Sequence, residues 1–301
     1  MRFGLVVGAG GERAVAWEIG VLAGLADAGM DPQSASIVQG TSAGALLGAR
    51  ILLGEDPRDR ADRLIGRGSP PEPAVPPELH RALQRLKAAW TSTQGMQMDE
   101  RRRAIGEGAQ AHRAIEAQHW VADAERRLSG NPRWPAQLRV VVTDAASGKL
   151  AVLGADDAIP LATAIAAARA IPYLLPPIPA GSRLLMDAAL GSATHAALLE
   201  GDSLELDLVI VVSAARSPAT GGPIDAEWSG SAHDEVERLR AAGIEVLLIT
   251  ADDDASESMG EDLLVCGDVG RSVSLGRRAG TAAVDSMRGA EAAGPDQHDR
   301  T

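Results

Sequence analysis

Twice in its first 54 residues the chain runs from a short β-branched stretch into a small-residue loop and then into an apolar helical repeat. The first unit is FGLVV at 3–7, the loop Gly8-Ala9-Gly10-Gly11-Glu12-Arg13, and then Val15, Ile19, Leu22 and Leu25 at helical spacing with Gly29 as the stop. The second is SIVQG at 36–40, the turn TSAG, and ALLGARILLG at 45–54. A continuous apolar run closed by glycines suits a strand buried on both faces. Strand, helix, strand, helix in this order demands right-handed crossovers and a parallel sheet.

The later sequence continues that pattern. Strands are expected at 137–145 and 149–153, joined through ASG, then at 184–186, 204–212 and 244–250, with helices at 159–170, 192–200, 231–242 and 271–287. The fold expected is a three-layer α/β/α sandwich around a mostly parallel sheet, forming one domain over 1–288 with a disordered tail at 289–301. Residues 66–130 read as a helical insertion or lid. It opens with GRGSPPEPAVPPE at 66–78, too rich in Pro and Gly for helix or central strand. Next comes a basic amphipathic helix, with Leu79, Leu83, Leu86 and Trp90 on one face and Arg81, Arg85 and Lys87 on others. Such a helix packs on the body with solvated charges or lies on a lipid surface as a lid. A further helix is expected around 110–128.

Composition excludes several function classes. Lys and Arg number 29 against 41 Asp and Glu, a formal charge of −12, which repels nucleic-acid backbones. Aromatics make up only 2%, so base-stacking platforms are scarce and the core must come from Ala, Val, Leu and Ile. The single cysteine, Cys266, reads as a small core residue, and no Cys/His cluster has metal spacing. Asp252-Asp253-Asp254 reads as a solvated turn, so neither metal nor cofactor is expected. The apolar run after Met1 breaks at Gly8, too early for a secretory signal, and no stretch approaches the ~18–20 apolar residues of a membrane span; a cytoplasmic location is the expectation.

The strongest chemical signal is Gly40-Thr41-Ser42-Ala43-Gly44, a G-x-S-x-G pentapeptide between an expected strand and helix. A nucleophile elbow places its serine in a strained turn, and the residues two before and two after must be tiny for strand and helix to approach. The upstream loop has a rival reading as a dinucleotide fingerprint with Asp27 or Asp31 as the ribose acid, but the third glycine position is Arg13. Beside a nucleophile, its N–H groups near Gly10 and Gly11 suit an oxyanion instead. None of the six histidines, His80, His112, His119, His195, His233 and His298, falls at an expected strand end, where open α/β sheets build their sites. Asp187 does, either as a helix N-cap or as a base.

GAGGERAVAWEIGVLAGLADAG, IVQGTSAGALLGA, AIAAARAIPYLLPPI and LLMDAALGSATHAALLEGD, in this order over residues 3 to 287, resemble the patatin-like phospholipases. The resemblance implies a Ser-Asp dyad: Ser42 as nucleophile, Asp187 as base, Gly40 and Gly44 as elbow glycines. It lays the oxyanion segment over Gly10, Gly11, Glu12 and Arg13, joined by Ala43 after the nucleophile. Implied activity is hydrolysis of a fatty-acyl ester, of phospholipase A or general lipid acyl hydrolase type, with a lipid substrate and peripheral membrane contact. The alternatives are an acyltransferase using the same dyad and a weakly active or inactive lipid-binding relative. The last follows from two departures: Ala9 and Ala14 stand where the family's glycine loop carries glycine, and Asp187-Ala188-Ala189 stands where it carries Asp-Gly-Gly or Asp-Gly-Ala; alanine is costly wherever φ is positive. Ile171 to Pro179, just upstream of Asp187, lines an acyl groove or simply packs on the sheet.

Overall fold

The structure, a computed structural model, describes residues 1–66, 76–111, 115–201, 205–215 and 223–293. Most of the proline-rich 66–78 segment, and the tail from 294 on, lie outside them. Five strands form the parallel part of the sheet, β1 (Phe3–Val7), β2 (Ile37–Thr41), β3 (Leu138–Asp144), β7 (Leu208–Ser213) and β8 (Glu245–Thr250), in the order β3-β2-β1-β7-β8. Three antiparallel strands complete it: β4 (Leu150–Leu153) and β6 (Arg183–Asp187) each pair with β3, and β5 (Ile178–Ala180) pairs with β6. Every residue of β1, β2 and β7 is buried, as their unbroken apolar runs require.

Alternation along the strands assigns the two covering layers. Leu5 and Val7 face one core with Trp17, Ile19 and Leu22 of α1 (Gly11–Asp27), Leu46 and Leu47 of α2 (Ala43–Leu52), Ile165 of α7 (Leu161–Ala168) and Val273 of α10 (Val269–Ala293). Val6 faces the other, with Val236 and Leu239 of α8 (Pro223–Ala241). The expected three-layer α/β/α arrangement is the one found. Helices α1 and α10 approach so closely that a Cβ on Gly20 or Gly24 would strike the Val273 or Arg277 carbonyl, and one on Gly276 or Gly280 the carbonyl of Trp17 or Val21.

The segment expected as an insertion holds α4 (Pro77–Ser92), α5 (Met98–Gln110) and α6 (Ala117–Arg127); the helix expected around 110–128 is α6, and α5 before it is not among the expected helices. Leu86 and Trp90 of α4 and Ile105 of α5 pack on Met186 of β6 and on Leu190 just after it.

Other boundaries also differ from the sequence reading. Helix α3 (Pro57–Gly66) escapes it because only Pro57 and Ala61 of that polar stretch are buried. The helix expected at 192–200 shrinks to a 3-10 turn at Ala196–Leu199, since His195 takes a left-handed φ of 50° and the Ser192 hydroxyl accepts the N–H groups of Thr194 and His195. The expected solvated turn at 252–254 opens α9 (Asp253–Met259), with the Asp252 carboxylate capping the Ala255 N–H. Helix α10 persists to Ala293, into the expected tail. Cys266 is half-buried, packed against the core rather than inside it. Among the described residues no helix is long and apolar enough to cross a membrane, and no group of three metal-ligating side chains assembles.

Candidate active site

The register of β3 builds the site. Its residues Leu138 to Val141 pair with β2, Val142 to Asp144 pair with β6, and Val140 to Thr143 pair with β4. Each residue has one neighbour per edge, and β4 overlaps both of the others. Strands β2 and β6 therefore share the opposite edge of β3 and meet end to end, pointing at each other. Thr41 pairs with Val141 and Asp187 with Val142, so Ser42, the next residue after β2, emerges against Asp187.

Ser42 Oγ donates to Asp187 Oδ2 at 2.6 Å, with the two residues 5% and 3% exposed. Ser42 sits at φ 54°, ψ −120° between β2 and α2, a sharp and strained strand-to-helix turn. Its flanking glycines are required by contact. A Cβ on Gly40 would overlap the Ala45 backbone, and one on Gly44 the Val7 and Gly8 carbonyls. Asp187 accepts the Ala189 N–H at 2.9 Å through its other oxygen. Burial pushes its pKa up to about 6, against the opposing pull of the Ser42 hydroxyl, the Ala189 N–H and the Arg169 charge.

Gly10 and Gly11 line the same cleft. Gly11 opens α1 at φ +69°, so the first N–H groups of that helix have no carbonyl one turn behind them. The Gly44 N–H donates to the Gly8 carbonyl at 3.1 Å, tying the start of α2 to the glycine loop. Glu12 and Arg13 turn their side chains elsewhere. Glu12 pairs with Arg169 at 2.9 Å and Arg127 at 3.4 Å, while buried Arg13 donates to the Glu261 carbonyl. Ala43 begins α2 next to the serine. Ala9, Ala14, Ala188 and Ala189 all lie outside the left-handed region, so alanine adds no backbone strain at any of the four.

The cleft is apolar apart from Ser42 and Asp187: Leu86 and Trp90 of α4, Ile171, Pro172, Leu190 and Leu263 form its walls. Of the stretch Ile171 to Pro179, then, the first two residues reach it. Trp90 is clasped from outside. Its Nε1 donates to Glu227 at 2.9 Å, and the Arg101 guanidinium lies 3.3 Å above the indole centroid while bridging to Glu227 at 3.2 Å. His80, at the other end of α4, reaches Asp262 at 3.0 Å.

Sequence reasoning missed the brace behind Asp187. Gln39 Nε2 donates to the His195 carbonyl at 2.9 Å, the Ala9 N–H to the Ala193 carbonyl at 2.8 Å, and Glu235 accepts the Thr194 hydroxyl and the Ala196 N–H. His195 donates Nε2–H to the Ala188 carbonyl at 2.8 Å, and burial lowers its pKa to about 4. It is thus a neutral post under the loop that follows the aspartate. Polar residues scattered over β2, α8 and this loop carry no spacing signal that announces such a brace.

The sequence model of the patatin-like phospholipase family matches residues 5–199. No curated protein matches the chain in sequence. Among solved structures, VipD from Legionella pneumophila superposes with a TM-score of 0.46 at 14% identity, over 95% of this chain and 67% of that one. The type III effector protein ExoU gives 0.43 at 15%, over 94% of this chain and 53% of that one, so this chain spans about half its length. The family match covers more than half the chain, from β1 past Ser42 and Asp187, and the chain belongs to the patatin-like phospholipase family.

Proposed function

We propose that this protein is a serine acyl hydrolase that cleaves fatty-acyl esters of lipids through Ser42 and Asp187. The observation that carries the reading is the 2.6 Å hydrogen bond from Ser42 to a buried carboxylate at the floor of an apolar cleft. Ser42 Oγ attacks the acyl carbonyl carbon as Asp187 Oδ2 takes the hydroxyl proton. N–H groups of Gly10, Gly11 and Ala43 receive the oxyanion; removal of one such donor typically costs about 2.7–4 kcal/mol of transition-state stabilisation. The tetrahedral intermediate expels the alkoxide, which takes the proton from Asp187. Water, giving its proton to the same carboxylate, then attacks the acyl-serine and releases the acid and free Ser42. With a pKa of about 6, Asp187 is ionised at neutral pH yet a better base than an ordinary aspartate.

Residues 76–111 act as the cover of the cleft, with α4 supplying Leu86 and Trp90. The exposed Arg81, Arg85 and Lys87 on its outer side suit contact with an anionic lipid surface. The inactive lipid-binding alternative rests on the alanines at 9, 14, 188 and 189, and their ordinary backbone angles favour an active enzyme. The test is hydrolysis of a p-nitrophenyl butyrate substrate by the protein and by Ser42→Ala. Turnover lost in the variant supports the reading, and equal turnover in both refutes it. Transfer of the acyl group to an added alcohol in preference to water would make the same site an acyltransferase.

A further inference from the structure

A second recess lies behind the catalytic wall. Arg50 of α2, Arg60 of α3, Arg127 at the end of α6 and Arg169 just after α7 line it, together with Glu12 of α1. It encloses about 360 Å³ counting its open mouth, and it shares no lining residue with the acyl cleft. Four elements each deliver one guanidinium to one hollow, in a chain with a formal charge of −12.

Here the carboxylates are shared. Glu55 Oε1 serves Arg50 at 2.8 Å and Arg60 at 3.0 Å, and Glu12 Oε1 serves Arg169 and Arg127. Arg169, with a side chain only 7% exposed, keeps a buried Nη1 with no hydrogen-bond partner, 3.6 Å from Asp123; the buried Nε of Arg60 is also without one. Burial, and then the charges of Arg60 and Arg127, make the Arg50 proton less tightly held than usual. Arg127 also pairs with Asp123 at 2.8 Å, so three carboxylates, Glu12, Glu55 and Asp123, serve four guanidiniums, and of the three only Glu12 lines the hollow.

We infer that this recess binds a phosphate-bearing anion, as free phosphate or as a lipid headgroup. Planar guanidinium forks match phosphate oxygens in pairs, and a dianion would quench the mutual repulsion of the four. The bound anion competes with Glu12 for Arg169 and Arg127. Because Glu12 follows Gly11 and Ala43 follows Ser42, the recess and the cleft are separated by a single thickness of backbone, so occupancy is felt at the first turn of α1.

The test is calorimetric titration of the full chain at fixed ionic strength of about 0.15 M, using inorganic phosphate in one arm and monomeric dihexanoyl phosphatidic acid on the Ser42→Ala protein in the other. Saturable binding with a Kd below about 1 mM is expected. Arg60→Gln and Arg127→Gln, whose side chains are 23% and 38% exposed and fit for replacement without unfolding, each weaken it at least about tenfold. Arg60→Lys, which keeps the charge but loses the fork, falls between. Binding in both arms identifies a free-anion site, and binding of the lipid alone a headgroup site. No saturable heat in either arm, or equal affinity in the folded Arg60→Gln/Arg127→Gln protein, overturns the inference. Heat reports binding directly, so failure of the acyl-hydrolase reading leaves this result standing.

Discussion

Ser42 and Asp187 face each other across 2.6 Å because the strands that carry them abut along one edge of β3, one parallel to it and one antiparallel. Their separation of 145 residues is closed by register alone. The same arrangement buries the carboxylate, and burial is what raises its pKa.

Under the proposed mechanism that raised pKa sets the acid limb of activity. Asp187 works as a base only when ionised, so kcat/KM for a neutral ester rises with pH to a plateau with a midpoint near 6. A stopped-time assay from pH 4.5 to 8.5 reads it. A midpoint near 4, that of an exposed aspartate, would remove burial from the explanation.

Asp187 also burdens the fold. It ionises near 3.8 in the unfolded chain and at about 6 in the fold, so the folded protein holds a proton the unfolded one has released across that window. Stability falls as pH rises from 3.8 to 6 and stays lower above it, by about 3 kcal/mol at roughly 1.4 kcal/mol per pKa unit. Asp187→Asn is therefore expected to cut turnover at least about 10²-fold while raising the unfolding temperature at pH 8, with the gain fading near pH 4. Chemical denaturation at both pH values measures it.

His195 acts in the opposite sense. Its pKa is lowered from 6.5 to about 4, so the unfolded chain takes up a proton that the fold refuses. Stability is whole above 6.5 and is lost as pH falls through 4, by about 3 kcal/mol. His195→Gln, able to keep the donor to the Ala188 carbonyl, should unfold with a shallower pH dependence between 6.5 and 4. An unchanged slope in denaturation curves across that range would show that this histidine does not govern acid lability.

Gly44→Ala tests the elbow by contact alone. The added Cβ meets the Val7 and Gly8 carbonyls, forcing α2 away from the loop it is bonded to. Overpacking of this kind costs about 1–3 kcal/mol, and misplacing the nucleophile by about 1 Å lowers rate on the order of 10²-fold. Thermal unfolding and ester turnover on the same sample separate the two effects.

The sandwich, the contacts of Gly40 and Gly44 and the two side chains that meet at the cleft floor, Ser42 and Asp187, were legible because they rest on local patterns: apolar runs, small residues at fixed offsets and a family's motif order. What escaped rests on tertiary accident. Ala193, Ala196 and Ala197 favour helix locally, yet the Ser192 hydroxyl and the left-handed His195 hold that stretch as a loop. Helix α9 begins at an acidic triplet whose first member is a cap, a role indistinguishable in sequence from a solvated turn. Glu12 and Arg13 read as part of the glycine loop, but their partners, Arg169, Arg127 and Glu261, are distant in sequence, so their outward turn had no local sign.

The most direct test of the central claim is labelling with a fluorophosphonate, read by intact mass on the protein, Ser42→Ala and Asp187→Asn. One adduct per chain is expected on the first, none on Ser42→Ala, and much slower addition on Asp187→Asn, whose amide cannot take the serine proton. An adduct that persists in Ser42→Ala, or labelling of Asp187→Asn at the unmodified rate, would contradict the dyad.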